Sequence, residues 1–414
     1  MGTAFSTALS ALNADSTAID IVGNNLANLN TTGFKASTAD FSNLMAEQLG
    51  AGAGSQVGMG VGQVSSVQQF TQGSIATVTT GGSLDAAIQG NGFFVVTDAN
   101  NNQLYTRDGS FQLSASGVLQ TATGQNVQGW TATDGVVTAN GPTGDITVPT
   151  GSTIAPSATA NMSMDINLDS STAVNGTFSA PIQVYDSLGQ AHTLTATFTE
   201  TAAGSWGYNV TIPAADLPSG SSTTVATGTL TFDANGNLTS PAAGSPVAIS
   251  VSGLADGADT LNINWNLYNS AGKQDITQYA QASAVSNPTQ DGFAAGQVSG
   301  VSIENGGLVV ATYSNGQQVT VGQLAVASIA NPTSLVQVGD NNLQATAATA
   351  QAAIGASGTG GNGTVEGGSL EASTTDMASE FTKLLSYERS YQAASRVITT
   401  SDTLAQETVN LIHA

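Results

Sequence analysis

The chain contains no cysteine, which excludes disulfides, thiolate metal sites and thiol nucleophiles. Charge is scarce, at 8% of residues, and nearly all of one sign, with 6 Lys plus Arg against 28 Asp plus Glu. A net charge of -22 repels phosphate backbones and anionic lipid, so nucleic acid is not an expected partner. No run approaches the roughly 18 apolar residues of a membrane span, so membrane insertion is not expected either. The opening segment MGTAFSTALSALNADSTAID lacks the basic lead and unbroken apolar core of a cleaved secretory signal. It does fit the myristoylation pattern M-G-x-x-x-S, a match short enough to recur by chance.

Histidine is nearly absent too. His192 falls inside an expected strand and reads as an ordinary strand residue; His413 lies next to the last residue. A catalytic triad or imidazole metal site would have to rest on His192, and no partner is evident in the sequence. DANGN (233–237) opens like a calcium loop but has Leu238 where the sharp turn needs glycine, so it reads as a hairpin turn. GNGFF (90–94) precedes a strand, not a helix, and cannot cradle phosphate as such loops do. Aromatics at 6% give little sign of a sugar platform. No enzyme, cofactor or metal is expected. Arg107, in YTRDGSF, is the only basic residue between Lys35 and Lys273, and is either an ion-pair anchor between domains or subunits or a solvated turn charge.

What is present begins with periodicity. Phe5, Leu12, Ile19 and Leu26 recur every seven residues. Ala8, Val22 and Leu29 follow members of that set by three, with Asp15 interrupting the second stripe. At the other end Met377, Leu384, Tyr391, Ile398, Ala405 and Ile412 share a heptad position, flanked by Phe381, Val397, Leu404 and Leu411. Two long stripes at opposite ends predict N- and C-terminal helices paired as a coiled-coil stem. Between them, runs such as PIQVYDSLGQAHTLTATFTE and NGGLVVATYSNGQQVTVG mix β-branched and aromatic residues with turn dipeptides. Asn-Gly occurs at Asn91, Asn140, Asn175, Asn235, Asn305 and Asn315, a strong hairpin signal. The fold class expected is multidomain and mainly β, with antiparallel sandwich or barrel-like domains.

The 414 residues divide as a nested chain. Residues 1–30 and 376–414 form the stem, and 31–72 with 359–375 an extended linker region containing the glycine-rich stretches near 50–63 and 355–368. Residues 73–150 and 281–358 form an inner β domain, and 151–280 an outer one.

The segment GNNLANLNTTGFKAS (23–37) is crowded with amides, which are poor helix formers and neither nucleophiles nor bases. Asn25, Asn28, Thr31, Gly33 and Phe34 in it resemble the N-terminal signature of the axial proteins of the bacterial flagellum, the rod and hook family. The resemblance continues in GNGFFVV, YTRDGSF, VGQLAVASIANP and GGSLEASTTDMASEF. VYDSLGQAHTLTATF (184–198) is similar to the segment that opens the outer domain of the hook branch, which the shorter rod members lack. Departures fall at Ser373–Asp376 and at Ile329 and Ala330. The resemblance implies a structural subunit that polymerises into a curved, flexible hollow tube, joins rod to filament and transmits motor torque as a universal joint. It implies a central channel for exported subunits and an extracellular place in the flagellum, reached without a cleaved signal. As partners it implies further copies of the chain, the distal rod protein, the hook cap protein, the hook–filament junction protein and the flagellar export apparatus. From the residues alone, a secreted β-rich adhesin or polysaccharide-acting protein on a coiled-coil stalk is the alternative.

Overall fold

The structure is a computed structural model describing residues 2–44, 47–48, 56–78 and 82–412. Ile412 has a described backbone only, and His413 lies outside these residues. The chain forms two units, Met1–Thr150 with Gly300–Ala311 and Val319–Ala414, and Gly151–Ser299 with Thr312–Gln318.

In the first unit, two helices stand at the chain ends: α1 (Gly2–Ala27) and α2 (Met377–Ile412). Asp376 starts α2 by accepting the Ser379 N–H at 2.7 Å, which satisfies one of the orphan donors of the first turn. α1 unwinds through Asn28 and Thr31 into Gly33, whose φ of +67° suits a residue without Cβ. The helices pack along each other, with Asn25 near the end of α1 touching Glu380 near the start of α2, so they run antiparallel. At 1.5 Å per residue α1 spans about 39 Å and α2 about 54 Å, so α2 outlasts its partner. No described helix is long and apolar enough to cross a membrane.

Part of the expected linker is a hairpin. Ser37–Asp40 pairs antiparallel with Ser65–Gln68, Asn43 bridges Val61, and Glu47–Gln48 pairs with Gln56–Val57. The Val61 N–H donates to Ser10 Oγ at 3.2 Å, and Phe41 meets Tyr387 at 5.8 Å between rings, so this arm lies on both helices. Glycine at position 60 permits the close approach, since a Cβ there would strike Ser10 Oγ. Low β-propensity hid the arm from sequence reasoning; backbone pairing and the helix surface hold it. Residues 49–55 of the glycine-rich stretch lie outside the described residues.

The β part of the first unit centres on Asn126–Thr133, paired with Phe93–Thr97 on one side and Gln318–Leu324 on the other. Beyond Phe93–Thr97 come Gln103–Thr106, Asn342–Gln344 and Val336–Gly339. Phe93, Val95, Tyr105, Trp130, Ala327 and Leu343 pack into its core. Two late strands then return to early ones: Thr364–Gly367 pairs with Ala86–Gln89, and Ser369–Glu371 pairs with Ile75–Thr77.

The second unit is a sandwich. Thr177–Tyr185, Ala191–Ala202, Ser205–Thr211, Thr224–Phe232 and Leu238–Ser240 form an antiparallel meander. A second sheet holds Val247–Val251, Leu261–Asn266, Asn161–Asn167, Ile276–Thr277 and Ala284–Gln290. Asn161–Asn167 pairs parallel with two of these neighbours, because the chain between them runs through the whole meander before returning. Ala284–Gln290, expected in the returning inner segment, pairs here with Asn161–Asn167. Alternate residues face inward, and Phe198 and Tyr208 set ring edges against Trp265 at 6.0 and 5.7 Å.

Candidate assembly site

Small residues decide how α1 meets α2. The buried face of α1 carries Ala8, Ala14, Asp15, Ala18, Val22 and Asn25, and Ala394 is buried on α2. Alanine at such positions lets two helix axes approach closely. The larger heptad residues lie beside this face: Leu12, Ile19 and Leu26 on α1, and Leu384 and Ile398 on α2, are half-buried. Phe5, Met377 and Tyr391 are exposed. The stripe interrupted by Asp15 is therefore the one most deeply covered within a single chain.

Further rows of apolar side chains, on both flanks of the covered face of α2, face water. Leu9 on α1 and Phe381, Leu385, Val397, Leu404, Val409 and Leu411 on α2 are exposed, Leu411 to 78%. Helices normally keep such rows against a core. Leu404, Val409 and Leu411 fall toward the end of α2 that extends past α1.

The base of the stem is built from the amide-rich segment. Asn25, fully buried, embraces one peptide: its Oδ1 accepts the Ser37 N–H at 2.9 Å and its Nδ2 donates to the Ser37 carbonyl at 2.7 Å. The same Nδ2 reaches Glu380 Oε2 at 3.0 Å, while Glu380 Oε1 takes Lys383 at 2.6 Å. Asn28 and Thr31 bond each other at 3.0 Å and hold the turn that leads to Gly33. Gly33 and Phe34 are buried. A Cβ on Gly33 would lie 2.5 Å from the Arg107 carbonyl carbon, so the residue is required by close approach as well as by φ.

Below that turn sits a buried ionic cluster. Glu371, 1% exposed, receives Lys35 Nζ on Oε1 at 2.6 Å and Arg107 Nη1 on Oε2 at 3.1 Å. Its Oε1 also accepts the Gly73 N–H at 2.7 Å, and its main-chain carbonyl accepts the Gly33 N–H at 2.8 Å. Two cations against one anion leave an excess positive charge, which carbonyl oxygens absorb. Lys35 donates to Thr71 at 2.7 Å, and Arg107 donates to Ile88 at 3.2 Å and Gly90 at 2.7 Å. The Arg107 guanidinium also lies over the Phe93 ring, 5.5 Å from its centre. Burial pulls the pKa of both cations down, and Glu371 opposes the shift. Thr374, at one of the departures from the family pattern, accepts the Ala36 N–H on its hydroxyl at 2.9 Å. Sequence reasoning singled out Arg107 but neither Lys35 nor Glu371.

Four family models match the chain in succession. They are Flagella basal body rod protein over 5–35, Flagellar hook protein FlgE/F/G D1 domain over 87–171, Flagellar basal body protein FlaE D2 domain over 158–293, and Flagellar basal body rod FlgEFG protein C-terminal over 366–411. Along its length the chain is 35% identical to the flagellar hook protein FlgE of Salmonella typhimurium, covering 98% of this chain and 99% of that one. It is 34% identical to the FlgE of Escherichia coli, covering 99% and 100%. The crystal structure of Helicobacter pylori flagellar hook protein FlgE2 overlaps 65% of this chain and 93% of its own, at 14% identity and a TM-score of 0.48.

Two predictions arise from this geometry. Removing Glu371 leaves two buried cations unpaired, so Glu371→Ala should cost about 3–5 kcal/mol in urea unfolding of the first unit. A loss below about 1 kcal/mol would mean that the carbonyls and water suffice. The second concerns Asp15, whose carboxyl pKa is raised by burial on the helix–helix face. A raised acid pKa means that the packed state prefers the protonated form. Stability of the α1–α2 contact should therefore rise as pH falls through the folded pKa, and be lower at neutral pH. Asp15→Asn should slow amide exchange along α1 relative to the parent at neutral pH, and the difference should vanish in acid. A difference independent of pH would contradict this account.

Proposed function

The chain belongs to the flagellar hook protein family, and from that premise we propose how its parts act. As a hook protein it is a structural subunit, not an enzyme, and it self-polymerises in the extracellular part of the bacterial flagellum. Hook proteins along the full length of the alignment leave the adhesin or polysaccharide-acting alternative without support.

In our reading α1 and α2 form the inner wall of a curved hollow tube, and the exposed apolar side chains on the two flanks of α2 are surfaces that copies of the chain share. The observation that carries this is their exposure: Phe381 and Leu385 on one flank of α2, and Val397 and Leu404 on the other, stand in water. Each large apolar side chain contributes roughly 1.5–3 kcal/mol when fully covered, so a few per subunit give a lattice substantial cohesion. The tube bends as β units shift against those of neighbouring copies while the stem stays packed, and torque passes along it as through a universal joint. The ends meet the distal rod protein on one side and the cap and then the junction protein on the other. Subunits travel down the channel from the export apparatus.

The Leu385→Ser, Leu404→Ser double variant tests the shared surface, because both positions are exposed in the single chain. It should keep the parent's circular dichroism and form no tubes by negative-stain microscopy. Val136→Ser, at an exposed apolar position on the first unit's β part, should polymerise normally. Ordinary tubes from the double variant would place the lattice contact elsewhere.

A further inference from the structure

Outside the stem, one cluster of side chains has no part in assembly as described above. It lies in the second unit, where three turns converge on His192. Asp186 begins the turn between Thr177–Tyr185 and Ala191–Ala202, and His192 is the second residue of the latter strand. Asp216 ends the short helical turn Ala214–Asp216, and Asp256 sits in the loop between Val247–Val251 and Leu261–Asn266. His192 shares the inward side of its strand with Leu194, Ala196 and Phe198, and it is 4% exposed.

The carboxylates are aimed by their backbones. Asp186 Oδ1 accepts N–H groups from Leu188 at 2.9 Å and Gln190 at 2.8 Å, which turns Oδ2 toward His192 Nε2 at 3.1 Å. Asp256 Oδ1 accepts the Ala258 N–H at 3.0 Å, and its Oδ2 stands 3.8 Å from the same Nε2. These three atoms lie within 4.8 Å of one another. On the other side of the ring, Asp216 Oδ2 is 3.1 Å from Nδ1 but out of line, so this buried nitrogen makes no hydrogen bond.

Charge makes the arrangement unusual. Three carboxylates surround one imidazole, and no Lys or Arg among the described residues forms an ion pair with any of them. A protonated ring offsets one of the three charges; Asp186 is wholly buried, while Asp216 and Asp256 keep partial contact with water. Three like charges converging on one ring repel, and a counter-ion or a metal is a usual remedy. Tetrahedral ligands about 2.05 Å from a metal stand about 3.3 Å apart, which the present separations bracket. A small turn of the ring would bring Nδ1–H into line with Asp216 and supply the carboxylate support that metal-bound histidines characteristically have.

We propose that Asp186 Oδ2, His192 Nε2 and Asp256 Oδ2 form a binding site for a first-row divalent metal ion of the Zn²⁺ class, with Asp216 orienting the ring. An imidazole ligand favours such ions over Ca²⁺ and Mg²⁺, which prefer oxygen alone. Asp256 and Asp216 side chains are 30% and 26% exposed, giving the ion an entry path and leaving room for water as a fourth ligand. A bound ion ties the 186–190 turn to the loop around Asp256, so it stabilises the second unit.

The test is calorimetric titration of the EDTA-stripped full chain with ZnCl₂ in excess Mg²⁺, alongside thermal melts followed by near-ultraviolet circular dichroism. One Zn²⁺ per chain is expected, with a raised melting temperature. His192→Gln and Asp256→Asn should abolish that site, and Asp216→Asn should weaken it about 10–100-fold with stoichiometry unchanged. Asp256 is partly exposed, so its variant separates lost binding from lost folding; far-ultraviolet dichroism confirms its fold. Absence of Zn²⁺ binding by the parent, or binding unchanged in both His192→Gln and Asp256→Asn, would overturn the site and leave His192 a charged strut between carboxylates.

Discussion

One carboxylate with no access to water organises the junction on which the stem depends. Glu371 joins Lys35 from the segment leaving α1, Gly73 from the segment after the hairpin arm, and Arg107 from the β part of the first unit. Six residues later α2 begins. Each connection alone is ordinary. Together they fix the end of α1 and the start of α2 to the same strand ends, so load on the helices reaches the β part through charge-assisted hydrogen bonds as well as through the chain. In a protein with 6 Lys plus Arg, spending two of them here leaves little basic charge elsewhere.

Rigidity at the base contrasts with incompleteness along the helices. Alanines and Val22 satisfy the face of α1 turned to α2, and Asn25 closes its lower end with three hydrogen bonds. Leu404 and Leu411 are left 50% and 78% exposed. A subunit that finishes its base internally and leaves apolar side chains uncovered can hold one shape at the base and still have surface to share with other copies. Buried pairs such as Lys35–Glu371 add less net stability than their geometry suggests, since desolvation offsets attraction. Their value here lies in specifying a single arrangement.

Much of this was legible in the sequence. Heptad spacing located both helices, and alternation with Asn-Gly turns located the β middle. Gly33 and Phe34 were marked by the family pattern and are buried at the turn. Spacing could not say which apolar stripe faces inward, because Phe5, Leu12, Ile19 and Leu26 look better suited than an alanine row broken by Asp15. Close packing favours the smaller side chains, and the larger ones are left half-covered or exposed. Lys35 and Glu371 are 336 residues apart and acquire meaning only when two distant strands pair. Scarcity of basic residues was the available signal, and it pointed to Arg107 alone. His192 read as an ordinary strand residue because Asp216 and Asp256 reach it through folding; only Asp186, at the start of the same hairpin turn, is close in sequence.

The central claim is that neighbouring copies cover the outer face of the helices. Hydrogen exchange read by mass spectrometry on the free subunit and on assembled tubes addresses it directly. Amides of residues 381–411 should exchange about tenfold or more slowly in tubes, while those of Phe93–Thr97 and Gln103–Thr106 are equally protected in both. Equal exchange of 381–411 in the two states would show that the helices face no neighbour, and would contradict the account.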